Sequence, residues 1–303
     1  MLFKQRKRSL SVFTPAKLNL FLEIHGRRAD GFHELETLMV SVGIYDTLTF
    51  TEGTTGEIEL QCFDAESLRR KQPDQAAELP AHNDNLVVRA ANLLRNFVKT
   101  KRGVKIDLVK RIPVASGLAG GSSDAAATLA GLNRYWKLGL TDSQLIQLGG
   151  QLGSDVSFFL AREPMAVCRG RGEIVEPVSS PVNLWFVIVR PGTGLSTPAV
   201  FRECRPAERP KRAEPLLKNL REGRWDRLGG AMYNALQEPA EKLNSEIVEL
   251  KKRFSTLPIS AHLMTGSGTA YFGVCASRRH ARQMASRLKR MHLGSVYVAE
   301  SGP

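Results

Sequence analysis

Hydrophobic and polar residues alternate strictly over residues 16–25. Leu18, Leu20, Leu22 and Ile24 fall on one side, and Lys17, Asn19, Phe21, Glu23 and His25 on the other. Successive side chains of a strand point to opposite faces, so the pattern predicts a strand with one buried face. Further strand-like runs cover 41–51, 56–63, 104–109, 184–189 and 294–299. Helical patterns cover 86–99, the Ala-rich stretch up to Asn133, 241–254 and a basic segment over 278–290. Strands and helices so interleaved predict an α/β chain.

Punctuation between these runs is equally readable. Asp30-Gly31 signals a turn. Residues 64–79 are polar and read as a surface loop with a helical piece. Asn83, Asp84 and Asn85 offer caps for the helix at Leu86. Thr141-Asp-Ser-Gln144 reads as a capping box for a short helix that Gly149-Gly150 would break. A Pro/Ser-rich break over 177–181 predicts a change of domain, with one unit over 1–165 and a second over 166–303. Residues 202–227 are rich in Arg, Glu and Pro and read as an exposed connection leading into helix.

The stretch with most chemical content runs Pro113, Val114, Ala115, Ser116, Gly117, Leu118, Ala119, Gly120, Gly121, Ser122, Ser123, Asp124. It joins a predicted strand to a predicted helix. Glycines there permit a sharp turn and close approach of backbone to a ligand. Ser122, Ser123 and Asp124 are candidate caps. The free N–H groups of a helix's first turn favour an anion, so the segment predicts a phosphate cradle. No Lys follows Gly120 or Gly121, which excludes a P-loop, and the spacing excludes a dinucleotide fingerprint. Close packing of small residues at a helix start is the plainer alternative.

Composition changes this picture little. The 303 residues suffice for two domains, and 42% hydrophobic with 24% charged residues is ordinary for a globular chain. No apolar run has the 18 or more residues of a membrane helix. The start is basic without the apolar stretch of a secretory signal, and the four cysteines form no C-x-x-C pair. A cytoplasmic protein with reduced thiols is expected. The net charge of +13 suits anionic partners. Part of it is local: residues 278–290 carry six Lys/Arg and no acid, and 4–8 carry four.

The run P-x-x-x-G-L-x-G-G-S-S-D-A-A from Pro113 resembles the phosphate loop of the GHMP kinases. Pro15-Ala-Lys-Leu-Asn-Leu matches that family's first motif, and Thr265-Gly-Ser-Gly268 its last. Asp30-Gly-Phe-His-Glu-Leu35 is most similar to the branch whose substrate is a cytidine-diphosphate-linked methylerythritol, on the non-mevalonate route to isoprenoids. The resemblance implies an ATP-binding N-terminal domain of the ribosomal-protein-S5-like type and a ferredoxin-like C-terminal domain. It implies Lys17 and Asp155 as catalytic residues. Asn85, Leu86, Lys110 and the loop from Pro113 to Ser123 would hold ATP. Asn85, Leu86 and Lys110 would border adenine, largely through backbone. Asn19, Phe32, His33, Phe201, Gly266, Ser267 and Gly268 would hold the substrate. Phe32 and Phe201 would sandwich cytosine, with His33 at its polar edge. Mg²⁺ is expected with ATP, its ligands open apart from Ser123 or a water shell. Ala235 stands where the family has an acid. Two alternatives remain: a homoserine- or mevalonate-type kinase, which would need no base pocket, and a basic nucleic-acid-binding protein on a kinase-like fold. Intact Lys17 and Asp155 argue against the second, so no nucleic-acid or membrane partner is expected.

Overall fold

The computed structural model describes residues 1–53, 56–65, 84–179 and 183–302. Residues 66–79 of the loop predicted over 64–79, and the candidate cap Asn83, lie outside the described residues. The first part of the chain comprises β1 (Leu2–Gln5), β2 (Ser9–Arg27), β3 (His33–Glu52), β4 (Ile58–Asp64), α1 (Leu86–Phe97), β5 (Val104–Lys110), α2 (Gly120–Tyr135), α3 (Asp142–Leu152), α4 (Ser154–Ala161), β6 (Met165–Gly170) and β7 (Ile174–Pro177). The rest comprises β8 (Trp185–Arg190), α5 (Thr197–Glu203), α6 (Glu214–Arg221), α7 (Leu228–Ala231), β9 (Tyr233–Asn234), α8 (Gln237–Leu243), α9 (Ser245–Ser255), β10 (Ala261–Met264), β11 (Tyr271–Cys275), α10 (Arg278–Lys289) and β12 (Ser295–Glu300).

Two sheets organise these elements. The larger has the order β1-β2-β3-β5-β4, with β6 on β3, β7 on β6 and β9 on β2. It runs past residue 165, the expected domain boundary, because β6 and β7 still belong to it. The smaller has the order β10-β11-β8-β12. In chain order that is strand, helix, strand, strand, helix, strand, with the first strand inside the sheet, the ferredoxin-like arrangement.

Strand β2 differs from its prediction in two ways. It spans 19 residues, pairing antiparallel with β3 through bulges near Pro15, Asn19 and Ile24. It is also buried on both faces, since every residue from Thr14 to Ile24 is inaccessible. The reason is that helices cover one side of the sheet and the smaller sheet the other. Leu10, Val12, Phe50 and Ile106 pack with Ala126 and Leu129 of α2. Leu18, Leu20 and Val40 pack with Phe186, Ile188 and Phe272 of the smaller sheet. The bulge between Pro15 and Ala16 separates these two stretches, so residues of one parity meet the helices before it and the smaller sheet after it. The start of the chain also joins this sheet, because β1 pairs with β2 from Leu2 to Gln5.

Glycine explains another difference. Helix α3 runs through Gly149-Gly150 and ends at Gly153. A Cβ on Gly149 would lie 2.5 Å from Leu160 Cδ1, so this glycine lets α3 and α4 touch rather than breaking α3. The predicted helix over 241–254 is two, α8 and α9, divided at Asn244, whose side chain caps α9 by accepting from Glu246 N. The capping box at Thr141 forms as predicted. All four cysteines are free thiols, and among the described residues no helix is long and apolar enough to cross a membrane.

Gly131 tests the packing of α2 on the large sheet. A Cβ there would sit 2.4 Å from the Phe50 ring. Alanine gains about 1 kcal/mol of helix propensity, and overpacking typically costs about 1–3 kcal/mol. At so short a distance the clash wins. Gly131→Ala should lower the urea midpoint, and Phe50→Leu in the same chain should restore part of it. An unchanged midpoint in the single variant would contradict this packing.

Candidate active site

The glycine loop connects β5 to α2. Its helix starts on Ala119, which is left-handed (φ 57°) and makes no side-chain cap. The expected caps Ser122, Ser123 and Asp124 are all inside the helix. Its first N–H groups are therefore left for a ligand, and Gly120, Gly121 and Ser122 line a cleft of about 480 Å³. Pro113, Val114, Ala115, Ser116, Gly117 and Ala119 line it too. Two expected members face away. Leu118 is fully buried, and its carbonyl accepts from Lys17 N at 3.2 Å. Ser123 is fully buried, and its hydroxyl donates to Pro15 O at 2.6 Å beside Thr14 Oγ1. Ser123 thus ties α2 to β2, and its hydroxyl is committed there rather than to a metal ion.

Lys17 and Asp155 meet at the base of this cleft, 3.6 Å apart from Nζ to Oδ2. Lys17 comes from the middle of β2 and Asp155 from the first turn of α4. Only 2% of Lys17 is exposed. Burial pushes its ammonium below the ordinary lysine range, and Asp155 pulls it back. The ammonium also donates to Asn19 Oδ1 and, at 2.7 Å, to Gly117 O. Asn19 is held in turn, donating to Thr37 Oγ1 at 2.8 Å and accepting from Thr265 Oγ1 at 3.1 Å.

Thr265-Gly-Ser-Gly268 closes the cleft from the smaller sheet. Gly266 and Ser267 line it, and Gly268 lies behind, where a Cβ would be 2.8 Å from Met264 Sδ. The turn is pressed against the glycine loop. A Cβ on Gly117 would stand 2.2 Å from Thr265 O, and Gly117 has φ +77°, so only glycine fits. Ala270 N donates to Ser116 O at 2.9 Å across the same seam. The residue that shapes the turn is Asn234. Its amide donates to Met264 O and Gly266 O, both at 2.8 Å. Sequence reasoning noticed only the altered neighbour Ala235. An asparagine preceding an apolar pair was the available signal.

Asn85 caps α1, accepting from Val87 N at 2.9 Å. Asn85, Leu86 and Lys110 line the cleft with Leu108. Lys110 does more than present backbone. Its buried ammonium pairs with Asp46 and, at 2.7 Å, with Asp124 of α2. Burial acts to lower its pKa, and the two carboxylates outweigh that and raise it. Burial raises the Asp124 carboxyl, against the pull of Lys110. The pair clamps the second turn of α2 to β5 and β3.

A second cavity of about 580 Å³ adjoins the first, and Leu35, Ser154, Arg171, Thr197 and Phe201 line both. Phe32 and His33 line this one. The expected aromatics gather here, in a different pairing. His33 and Phe201 face one another, 5.2 Å between ring centroids. Phe32 is 52% exposed, with the Arg171 guanidinium over its ring at 4.8 Å. Arg171 was missed. Its signal was an arginine between two glycines, Gly170 and Gly172, both with positive φ.

Asn234 offers a direct test of the seam. Removing its amide leaves two buried carbonyls unpaired, which costs about 1–3 kcal/mol. Asn234→Ala should lower unfolding stability by that amount and kcat/KM by about tenfold or more, each decade being about 1.4 kcal/mol. Asn234→Asp should do no better, since a carboxylate would face two carbonyl oxygens. Recovery in Asn234→Asp would rule out this role.

Comparison with known proteins agrees with the geometry. The GHMP kinase N-terminal domain matches residues 85–163, and the GHMP kinase C-terminal domain matches 216–292. A 4-diphosphocytidyl-2-C-methyl-D-erythritol kinase of Alkaliphilus metalliredigens is 36% identical over 288 residues, 93% of this chain and 94% of that protein. One of Pelotomaculum thermopropionicum is 38% identical over 283 residues, with 93% and 94% covered. The crystal structure of a 4-(cytidine 5'-diphospho)-2C-methyl-D-erythritol kinase superposes with a TM-score of 0.77 at 32% identity, covering 97% of this chain and 99% of that one. A homoserine kinase of Cytophaga hutchinsonii shares the fold, with a TM-score of 0.74 at 16% identity, covering 99% and 96%. The chain therefore belongs to the GHMP kinases, and among them to the family of the 4-diphosphocytidyl-2-C-methyl-D-erythritol kinases.

Proposed function

We propose that the protein transfers the γ-phosphoryl group of ATP to the 2-hydroxyl of 4-diphosphocytidyl-2-C-methyl-D-erythritol. The observation that carries this reading is the Lys17–Asp155 pair, set between an uncapped helix start and an aromatic cavity. The loop and the first turn of α2 take the nucleotide phosphates, as backbone donors do in phosphoryl transfer. Asn85 and Leu86 border the adenine. His33, Phe201 and Phe32 take the cytosine, and Arg171 lies between the two cavities, where a diphosphate would pass.

A tertiary alcohol is a weak acid, so its proton must be held as the new bond forms. Asp155 accepts or orients that proton. Lys17 orients that carboxylate across 3.6 Å and stabilises negative charge on the transferring group. Asn19 and Gly117 fix the ammonium so that little reorganisation is needed. Magnesium fits this donor set as an ion carried by the nucleotide, because Asp155 and Ser122 line the cleft and such an ion keeps phosphate and water ligands. When bound it neutralises charge on the phosphates. Among the described residues no group of three or more His, Cys, Asp or Glu could hold a metal.

Asp155→Asn should lower kcat by about 10²-fold or more, the scale of a positioned acid–base group. Lys17→Ala should affect the same step, and the double variant should be little worse than the worse single. Near-normal turnover of a folded Asp155→Asn enzyme, with ADP release measured, would reject the mechanism.

The cytosine assignment makes a separate prediction. Stacking on one aromatic is worth roughly 1–3 kcal/mol, so Phe201→Ala should weaken the cytidyl substrate about 5- to 150-fold and leave KM for ATP unchanged. Burial, helped by the nearby Arg27 cation, holds His33 below its ordinary 6.5. The ring is then neutral near pH 7 and charges only on acidification. KM for the cytidyl substrate should be flat from about pH 8 to 7 and rise on the acid side. His33→Gln should lack that acid limb. An increase in KM for ATP alone would count against the pocket.

A further inference from the structure

The strongest surface feature outside the cleft lies on α10. Arg278, Arg279, Arg282, Arg287, Lys289 and Arg290 are all exposed. No carboxylate ion-pairs with them among the described residues, and the sequence from Ser277 to Gly294 contains no acid. Some exposed arginines elsewhere in this chain find partners, as Arg162 does with Asp142 and Arg253 with Glu249. Here the positive charge is left unmatched.

Two hollows flank the start of this helix. One, of about 470 Å³, is lined by Arg278, Arg279, Arg282, Gln283 and Ser286, all of them hydrogen-bond donors. The other, of about 400 Å³, shares Arg278 and Arg282 and adds Trp185 and Tyr45. The Arg278 guanidinium lies over the Trp185 ring at 5.7 Å. Glu300 is the carboxylate beside it, and it accepts from Asn183 Nδ2 at 3.0 Å. Guanidiniums thus sit next to partly open aromatic rings, and the cationic row continues along the helix.

Against the expectation of no nucleic-acid partner, we infer that this face, set apart from the cleft, is a second binding site and that it takes single-stranded nucleic acid. Phosphates fit the arginine-lined hollow, and an unpaired base fits the aromatic one. A lipid surface fits less well. The apolar residues of α10, Ala281, Met284, Ala285 and Leu288, are all buried in the core, so nothing remains to insert among acyl chains. A duplex would satisfy the charges and leave the rings unused.

The test is fluorescence anisotropy with a labelled 20-nucleotide single-stranded RNA. Excess ATP and Mg²⁺ occupy the cleft, and salt is varied. Wild type should bind, with log K falling linearly against log salt. Arg278→Ala, Arg279→Ala and Arg282→Ala together should weaken binding at least tenfold at low salt. They should flatten the slope by about 2, from roughly 0.7 per lost phosphate contact. Kinase turnover and thermal midpoint should be unchanged, since none of the three touches the cleft. Trp185→Phe should keep part of the affinity, and a matched duplex should bind more weakly than the single strand. Absence of binding at 50 mM salt overturns the inference. So does equal binding by the triple variant, equal affinity for duplex, or binding only to vesicles of anionic phospholipid.

Discussion

A charged ammonium held inside the protein is the constraint on which this structure depends. Lys17 stands in a strand buried on both faces. An unpaired charge there would cost several kcal/mol, and proteins accept such a charge only with good partners. Asn19, Gly117 O and Asp155 supply them. They come from β2, from the glycine loop and from α4. The requirement of one cation thus fixes where three elements meet.

The same requirement links the two sheets. Thr265 belongs to the turn after β10, and its hydroxyl accepts from Asn19 N and donates to Asn19 Oδ1. Its carbonyl leaves no room for a side chain on Gly117. Asn234, at the edge of the larger sheet, holds the far side of that turn. Glycine loop, ammonium and Thr265 turn are therefore one interlocked body.

Much of this was legible in the sequence, because the relevant motifs are short and locally determined. The strand with Lys17 and Asn19, the glycine loop and the Thr265 turn all fall where their residue types predicted. What escaped was whatever tertiary contacts decide. Periodicity cannot show what covers the face of Lys17 and Asn19, so β2 read as half-exposed. Small polar residues after the glycines looked like caps, yet Ala119 turns left-handed and the helix begins before them. Gly149-Gly150 read as a break because sequence shows the missing side chain and not the neighbour, Leu160, that needs the space. Lys110 read as a backbone contact because its carboxylate partners are 64 and 14 residues away. Arg171 and Asn234 carry only weak local signals, an arginine between two glycines and an asparagine before an apolar pair, and tertiary contacts decide what they touch.

The left-handed start of α2 has a consequence for how the protein behaves empty and filled. A helix without its own cap is incomplete until something outside it supplies acceptors. The phosphates of a nucleotide would do so, and any ligand that binds only the ordered form adds stability as its concentration rises. On the proposed reading, the stability of the first turn of α2 would then rise with nucleotide supply.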